Sequence, residues 1–415
     1  MMEIAIIGTG ISGLGAAYLL APDHDLTIYE KNAYIGGHSR TITLHDGKND
    51  VAVDTGFIVF NNWNYPNLLE LFKEIDVPFV NSNMSFGVSV NSGWLEYSSN
   101  DLFAPRNLVR PAYWGMMRDI IHFNKLALDY IEKDPAIKLG QCLDELKMGR
   151  WFRDYYLLAM GAAIWSCPLE TILDFPARTF LQFFKNHGLL SINNRPQWYT
   201  VSGGSKEYVR KLTSSFVENI KLDCAIKNVT SCGDKWYVTD SHGDTDQYDQ
   251  IVFACHADEA LKMLSDPMPY YLDILGAFSY QENKVIVHSD ESFMPKCRKS
   301  WASWVYLSEH RKDNNSAVSL SYWMNNLQPL NSDKPVIVTL NPGRRPQESL
   351  IYDEHIFSHP VFDIKAIAAQ DRINEIQGRD GLWFCGAYQR YGFHEDGLLS
   401  AVNVAKKMGV SIPWE

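Results

Sequence analysis

Ile4-Ala5-Ile6-Ile7-Gly8-Thr9-Gly10-Ile11-Ser12-Gly13 opens this chain, and Glu30 closes the unit that it starts. Residues 4–7 are a short apolar run rich in β-branched side chains, the pattern of a strand buried on both faces. Ile11 to Leu20 carries the small and apolar residues of a helix packed tightly on a sheet, and Leu26 to Tyr29 is a second strand-like run. Strand, turn, helix and strand within about thirty residues make half of a dinucleotide-binding unit. The three glycines of that unit differ in what they do. Gly8 makes the turn, Gly10 lets backbone approach a pyrophosphate, and Gly13 lets helix meet strand. The backbone N–H groups that begin the helix at Ile11 and Ser12 offer an anion site. Glu30, about twenty residues on, is placed to accept from ribose hydroxyls. The competing reading of Glu30 is an ordinary surface carboxylate.

The chain has 415 residues, 46% hydrophobic and 21% charged, which excludes a disordered chain and allows more than one domain. Acidic residues outnumber basic ones 49 to 38, for a net charge of −11, and no run of lysines and arginines forms a nucleic-acid footprint. The N-terminus reads as a strand rather than a secretion leader, and the apolar stretch Tyr155 to Leu169 is too short to span a bilayer. Seven cysteines (142, 167, 224, 232, 255, 297, 385) stand singly without a CxxC pair, so free thiols and no metal site are expected. These features predict a cytoplasmic protein.

Residues 100–188 are aromatic-rich and helical in period, a helical insertion. Within it Phe180-Leu181-Gln182-Phe183-Phe184 reads either as a buried amphipathic helix or as a greasy face for an acyl chain or the inner membrane surface. Ser202-Gly203-Gly204-Ser205 opens a short helix, Lys235 to Thr239 reads as an edge strand, and Gln250 to Ala254 as a buried parallel strand. Lys284 to His288, Ser300 to Leu307, Ala317 to Trp323 and Val336 to Leu340 predict a mostly antiparallel sheet. Gly381 to Gly386 is strand then turn, and Gly397 to Met408 is helical. The expected fold class is α/β: a discontinuous, doubly wound Rossmann-like domain over 1–80, 198–265 and 376–415, with an α+β substrate domain over 81–197 and 266–375.

Glu30-Lys31-Asn32-Ala33-Tyr34-Ile35-Gly36-Gly37-His38-Ser39-Arg40-Thr41 resembles the acid, double-glycine and arginine segment of the flavin-containing amine oxidase, phytoene desaturase and protoporphyrinogen oxidase superfamily. Asp54-Thr55-Gly56, Gly203-Gly204, the strand at 250–254 and Cys385-Gly386 through Leu398 and Ala401 continue the likeness along the whole chain. Within the superfamily, Asp54 to Asn61, Tyr65-Pro66-Asn67, Trp301 to Trp304, Tyr322 to Asn325 and Gly392 to Gly397 are similar to bacterial FAD-binding proteins encoded near cyclopropane-fatty-acid-synthase-like methyltransferases.

The resemblance implies noncovalent FAD and an oxidoreductase using hydride transfer at flavin N5, with an apolar lipid or acyl substrate and a methyltransferase partner. It implies cofactor contacts at Lys31, Gly36, Gly37, His38, Arg40, Thr55, Gly56, Gly386 and Leu398, in addition to those of the glycine turn. Glu395 and Asp396, just before a small-residue helix, add carboxylate caps at a positive helix end suited to anionic reduced flavin. The rival functions are amine oxidation and a non-enzymatic FAD-bearing protein that presents lipid to the methyltransferase. Ala387 stands where many relatives have an acid for the ribityl chain, and His394 where amine oxidases set an aromatic residue. His394 is the candidate catalytic residue, relaying a proton beside the flavin or merely bonding a loop carbonyl. Cys385 reads as a buried thiol rather than a covalent flavin anchor, and Lys284 and Lys296 are candidates for a lysine near N5. Trp301, Trp304 and Trp323 fill a sheet core or wall an apolar substrate.

Overall fold

A computed structural model describes residues 1–45, 49–132, 137–165, 172–191, 195–310 and 316–415, so Cys167 and the end of the Tyr155 to Leu169 stretch lie outside the described residues. The opening run forms β1 (Glu3–Ile7), followed by α1 (Ile11–Leu20) and β2 (Asp25–Tyr29). Three distant pieces join them in one parallel sheet: β3 (Ile220–Lys221), β4 (Gln250–Phe253) and β5 (Leu382–Phe384), in the order β3-β2-β1-β4-β5. This is the strand order of a doubly wound dinucleotide-binding half. Ile4, Ile6, Ile28, Val252 and Leu398 pack with α1 on one face, and Ala5, Ile251, Phe253 and Phe384 form the core of the other. Burial on both faces is what made these runs continuously apolar.

A second, seven-stranded sheet runs 351–361, 279–288, 337–340, 316–323, 304–310, 86–90, 95–98, with one parallel pair between 304–310 and 86–90. The strands expected at 284–288, 317–323 and 336–340 are present. The one expected from Ser300 begins at Trp304, because Arg298–Ser300 turns as a 3-10 segment. Lys235–Asp240, expected at a sheet edge, is the middle strand of a three-stranded antiparallel sheet between 226–232 and 245–248. The turns at Gly233 and Gly243, both with positive φ, join it to its two neighbours.

The insertion is helical, including α2 (Pro66–Glu74) before it and, inside it, α3 (Pro111–Leu126) and α4 (Ala177–Asn186). Phe180, Leu181, Phe183 and Phe184 on α4 are all buried in the cap core with Phe123 and Phe152. The alternative of a greasy surface on this segment is therefore corrected: its apolar face is spent on packing. Further on, α5 (Lys206–Thr213) follows the Gly203-Gly204 turn, and α6 (His394–Lys407) starts three residues earlier than its periodicity predicts. Trp301 is buried, while Trp304 and Trp323 are half-buried beside Tyr322 and Trp301. No described helix is long and apolar enough to cross a membrane.

A buried polar joint ties the two sheets together. Asp54 is only 1% exposed, and its carboxylate accepts from the Ser205 N–H at 2.8 Å and Oγ at 2.8 Å, and from Gln328 Nε2 at 2.7 Å. In return the Asp54 N–H donates to Gln328 Oε1 at 3.0 Å. Burial pushes the Asp54 pKa up to about 6 against the pull of these donors. Gln328→Leu keeps the volume but leaves the buried Asp54 N–H without its side-chain acceptor and takes one of two donors from Asp54 Oδ2, and is expected to cost about 2–3 kcal/mol. Urea unfolding measures this, and a loss below about 0.5 kcal/mol would show the joint to be dispensable.

Candidate functional site

The glycine turn is built by close approach. A Cβ on Gly13 would stand 1.9 Å from the Gly8 carbonyl oxygen, and one on Gly8, at φ +110°, would stand 2.6 Å from the Ala254 oxygen. Gly10 differs, because a Cβ there meets nothing within 4 Å. No side chain caps the start of α1 and no acidic residue lies in its first turn. Open space at Gly10, in front of uncapped N–H groups at a positive helix end, fits a pyrophosphate. Gly37, at φ +57°, closes the cradle from the other side, its Cβ position 3.1 Å from Gly10 Cα. Gly56 fits under His38 for the same reason, its Cβ position 2.1 Å from the His38 carbonyl oxygen. Leu398 and Gly397 of α6 lie on Gly15, Ile11 and Ser12 of α1, which brings the two helix N-termini together. The residues present therefore fit a dinucleotide.

Around that cradle, several expected contacts are already engaged within the protein. Glu30 Oε2 accepts from the Thr9 N–H at 3.0 Å and its hydroxyl, and Oε1 accepts from the Asn32 N–H at 2.9 Å and Nδ2 at 2.8 Å. With about four acceptor positions on a carboxylate, a ribose contact at Glu30 requires Thr9 or Asn32 to yield. Lys31 pairs with Glu259 at 2.6 Å. Arg40 holds Asp353 through two N–H···O bonds of 2.7 and 3.1 Å, and Thr55 donates its hydroxyl to the Arg40 carbonyl. His38 lies among rings instead: Phe357 at 4.8 Å, His359 at 5.3 Å and His256 at 6.5 Å. Desolvation first, then repulsion among these imidazoles, lowers the His38 pKa well below its ordinary value.

Glu395 and Asp396 perform local structural work. Glu395 accepts from the N–H groups of Asn67 and Leu68, both at 3.0 Å, and from Asn67 Nδ2 at 2.7 Å, so it caps α2 rather than its own helix. The sequence holds a signal for this, since α2 begins Tyr65-Pro66 with no Ser, Thr, Asp or Asn at its N-cap. Asp396 accepts from the N–H groups of Phe393 at 2.9 Å and Tyr391 at 3.2 Å, folding the loop before α6. Burial, opposed by these N–H donors, raises Glu395 to about 7 and Asp396 to about 6. The Gly386 N–H donates to Ser400 Oγ at 2.8 Å. Cys385 is a buried thiol pushed up to about 12 by burial, while Lys284 pairs with Glu354 and Lys296 is exposed.

His394 begins α6. Its ring stacks on Phe57 at 3.8 Å, and its Nε2 shares a hydrogen bond of 2.7 Å with the Tyr208 hydroxyl, which in turn bonds Ser39 Oγ. Neither Phe57 nor Tyr208 is visible in the sequence as a site residue, because their role exists only after segments 150 residues apart have met. Desolvation lowers His394 to about 3, so at neutral pH it is uncharged. Next to it, Phe393 stacks on Phe183 of α4 at 5.1 Å, and His187 on the same ring at 3.8 Å with its pKa lowered to about 4 by burial. The wall between α6 and the helical cap is thus aromatic and neutral.

A histidine held neutral in the fold has a defined pH signature. The folded pKa of about 3 lies below the unfolded value of about 6.5, so the contribution of His394 is full above about pH 6.5 and is lost as pH falls toward 3. The stability gap between wild type and His394→Phe, measured by urea unfolding, should narrow by about 1–2 kcal/mol from about pH 7 to about pH 5. A gap that is constant or widens over that range would show that His394 is protonated in the fold.

A family model described as an NAD(P)-binding Rossmann-like domain matches residues 6–75, the segment that builds the cradle. The chain is 36% identical over 77 residues to 15-cis-phytoene desaturase of Synechococcus elongatus, covering 18% of this chain and 15% of the relative. It is 23% identical over 256 residues to flavin-containing amine oxidase A of Sus scrofa, covering 56% and 46%. The chain thus spans less than half the length of either curated relative. Over its whole length it superposes on a CLA-producing fatty acid isomerase from P. acnes with a TM-score of 0.70 at 16% identity, covering 99% of both chains. Cradle, topology and these matches together show a Rossmann-like dinucleotide-binding protein similar to the flavin-containing amine oxidases and phytoene desaturases, whose dinucleotide is FAD.

Proposed function

We propose that this protein is an FAD-dependent oxidoreductase acting on an apolar acyl or other lipid chain by desaturation, saturation or isomerisation. The discontinuous segments 1–80, 198–265 and 376–415 form its FAD domain, and 81–197 and 266–375 its substrate domain. The observation that carries the substrate class is the aromatic, neutral wall of Phe57, Phe183, Phe393, His187 and His394 beside the N-terminus of α6. A cationic amine gains little from a wall whose imidazoles are uncharged and whose neighbouring carboxylates, Glu395 and Asp396, are already engaged by backbone N–H groups, whereas an alkyl chain loses no hydration there. Relatives described as a phytoene desaturase and a fatty acid isomerase are in keeping with this class.

Bound FAD supplies a two-electron acceptor or donor at flavin N5. The chain's own residues bind and orient it. The space at Gly10 and the first-turn N–H groups of α1 receive the pyrophosphate, with Gly36, Gly37 and Gly56 allowing close approach. Arg40 reaches a phosphate by sharing or leaving Asp353. The N-cap of α6 is Phe393, which has no acceptor, so the positive helix end stays available to a developing negative charge. The aromatic wall excludes water from the reacting C–H bond. A methyltransferase that uses the same lipid is the partner consistent with this chemistry.

Gly10→Val tests the cofactor site. Because a Cβ at Gly10 has open space, the variant should fold with an unchanged circular dichroism spectrum and yet retain less than about a tenth of the wild-type FAD. Full yellow colour on a folded Gly10→Val protein would show that the pyrophosphate lies elsewhere. For the substrate class, anaerobic mixing with unsaturated or methyl-branched acyl lipids should change the flavin spectrum, and primary amines should leave it untouched. Bleaching by amines together with silence toward every lipid would assign the site to amine oxidation.

A further inference from the structure

The helical cap carries a second apolar feature, on its outside. Val109 is 80% exposed, Phe103 71%, Ile121 64% and Trp114 50%, with Trp94 and Leu128 also exposed. They are not scattered. Trp114, Arg118, Ile121, Lys125 and Leu128 follow at spacings of four, three, four and three, one continuous stripe along α3 and the turn after it. Tyr113, Met116, Asp119 and Phe123 hold the opposite, buried face. The Trp114 indole is fixed by donating to the Leu108 carbonyl at 2.8 Å, one residue before Val109 in the chain. The Arg110 guanidinium lies 5.0 Å from the Trp94 ring centre, extending the patch across to that residue.

Charge distinguishes this face from the rest of the molecule. The whole chain is at −11, yet residues 101–129 hold Arg106, Arg110, Arg118 and Lys125 against Asp101, Asp119 and Asp129, with Arg106 paired to Asp101 at 3.0 Å, and the two cations on the exposed stripe itself are Arg118 and Lys125. Asp119 is buried, accepting from the Gly149 N–H at 3.0 Å and from the Arg118 guanidinium at 3.0 Å, while the Arg118 side chain stays largely exposed. Basic and large apolar side chains alternating along one helix face, with tryptophan among them, match the headgroup boundary of an anionic bilayer. A second copy of the chain fits less well, because a two-fold contact through this face would set its own positive charges against one another.

We infer that the exposed face of α3, with Phe103, Val109 and Trp94, docks the protein on an anionic phospholipid surface. The inference rests on the surface and not on the proposed redox substrate, and its readout is binding rather than turnover. The FAD-loaded full chain should float with vesicles of phosphatidylethanolamine and phosphatidylglycerol and remain soluble with pure phosphatidylcholine. Val109→Asp combined with Ile121→Asp should weaken vesicle binding by about tenfold or more, and Arg118→Glu by about fivefold, with circular dichroism and flavin absorbance unchanged. Equal partitioning to both vesicle types, absence of binding, or binding unaltered by these variants would overturn the assignment. So would a dimer in light scattering that Val109→Asp with Ile121→Asp converts to monomer, since the face would then cover a second copy. Vesicle binding with silence toward every acyl lipid would keep the docking surface and remove the lipid substrate.

Discussion

The first and last helices of the chain must touch almost backbone to backbone for anything else here to exist. A Cβ on Gly15 of α1 would stand 2.7 Å from Leu398 Cδ1, and one on Gly397 of α6 would stand 2.9 Å from Ile11 Cγ2 and Ser12 Oγ. Missing side chains on each helix admit the other, and the contact aligns two positive helix ends over one end of the parallel sheet. Because β5 leads into α6, this contact also fixes the sheet order, with a strand from the C-terminal segment at its edge. The dinucleotide cradle is therefore closed by residues separated by nearly the full chain.

Two polar joints then decide how the seven-stranded sheet sits against that cradle. One is the fully packed Asp54, bonded to Ser205 from one side and to Gln328 from the other. The other is Arg40 with Asp353, both side chains largely buried. They differ in what they permit. The Asp54 joint has a donor for each oxygen and is costly to open, whereas a two-oxygen clamp on a guanidinium with five donors leaves N–H groups for a phosphate. A stable joint beside an exchangeable one is suited to a protein that must accept a large anion without coming apart.

The parts legible from sequence are those whose signal is local. The glycine spacing, the doubly apolar runs of β1, β2 and β4, and the helices of the cap all carry their pattern within one turn or one strand. Strands 86–90 and 351–361 lack such a pattern. Gly87 weakens the first, and it is there because a Cβ would press on Ser300 and Ala302. The second is a half-buried edge strand interrupted by polar residues and carrying Pro360 near its end. Site roles are less legible still. Glu395 reads as a cap for the helix that it begins, and only the fold shows that it reaches α2, where Tyr65 cannot serve. His394 stands out in the sequence as an oddity among aromatics, but its partners Phe57 and Tyr208 do not.

Burial shifts the ionisable groups around the cradle in opposite directions with one effect. His394, His187 and His359 are lowered to between about 3 and 4, so they are neutral near pH 7. Glu395 is raised to about 7, so it is partly protonated near pH 7, while Asp396, raised to about 6, keeps most of its charge against the N–H groups of Tyr391 and Phe393. Each shift has desolvation as its largest cause, so the same aromatic packing that walls the site also removes charge from it. What remains to act on a bound anion is the fixed set: the N–H groups at two helix ends and the Arg40 guanidinium. A site whose imidazoles are neutral and whose carboxylates are already engaged leaves the charge of the cofactor as the strongest unpaired local field, which is the condition under which backbone dipoles are effective.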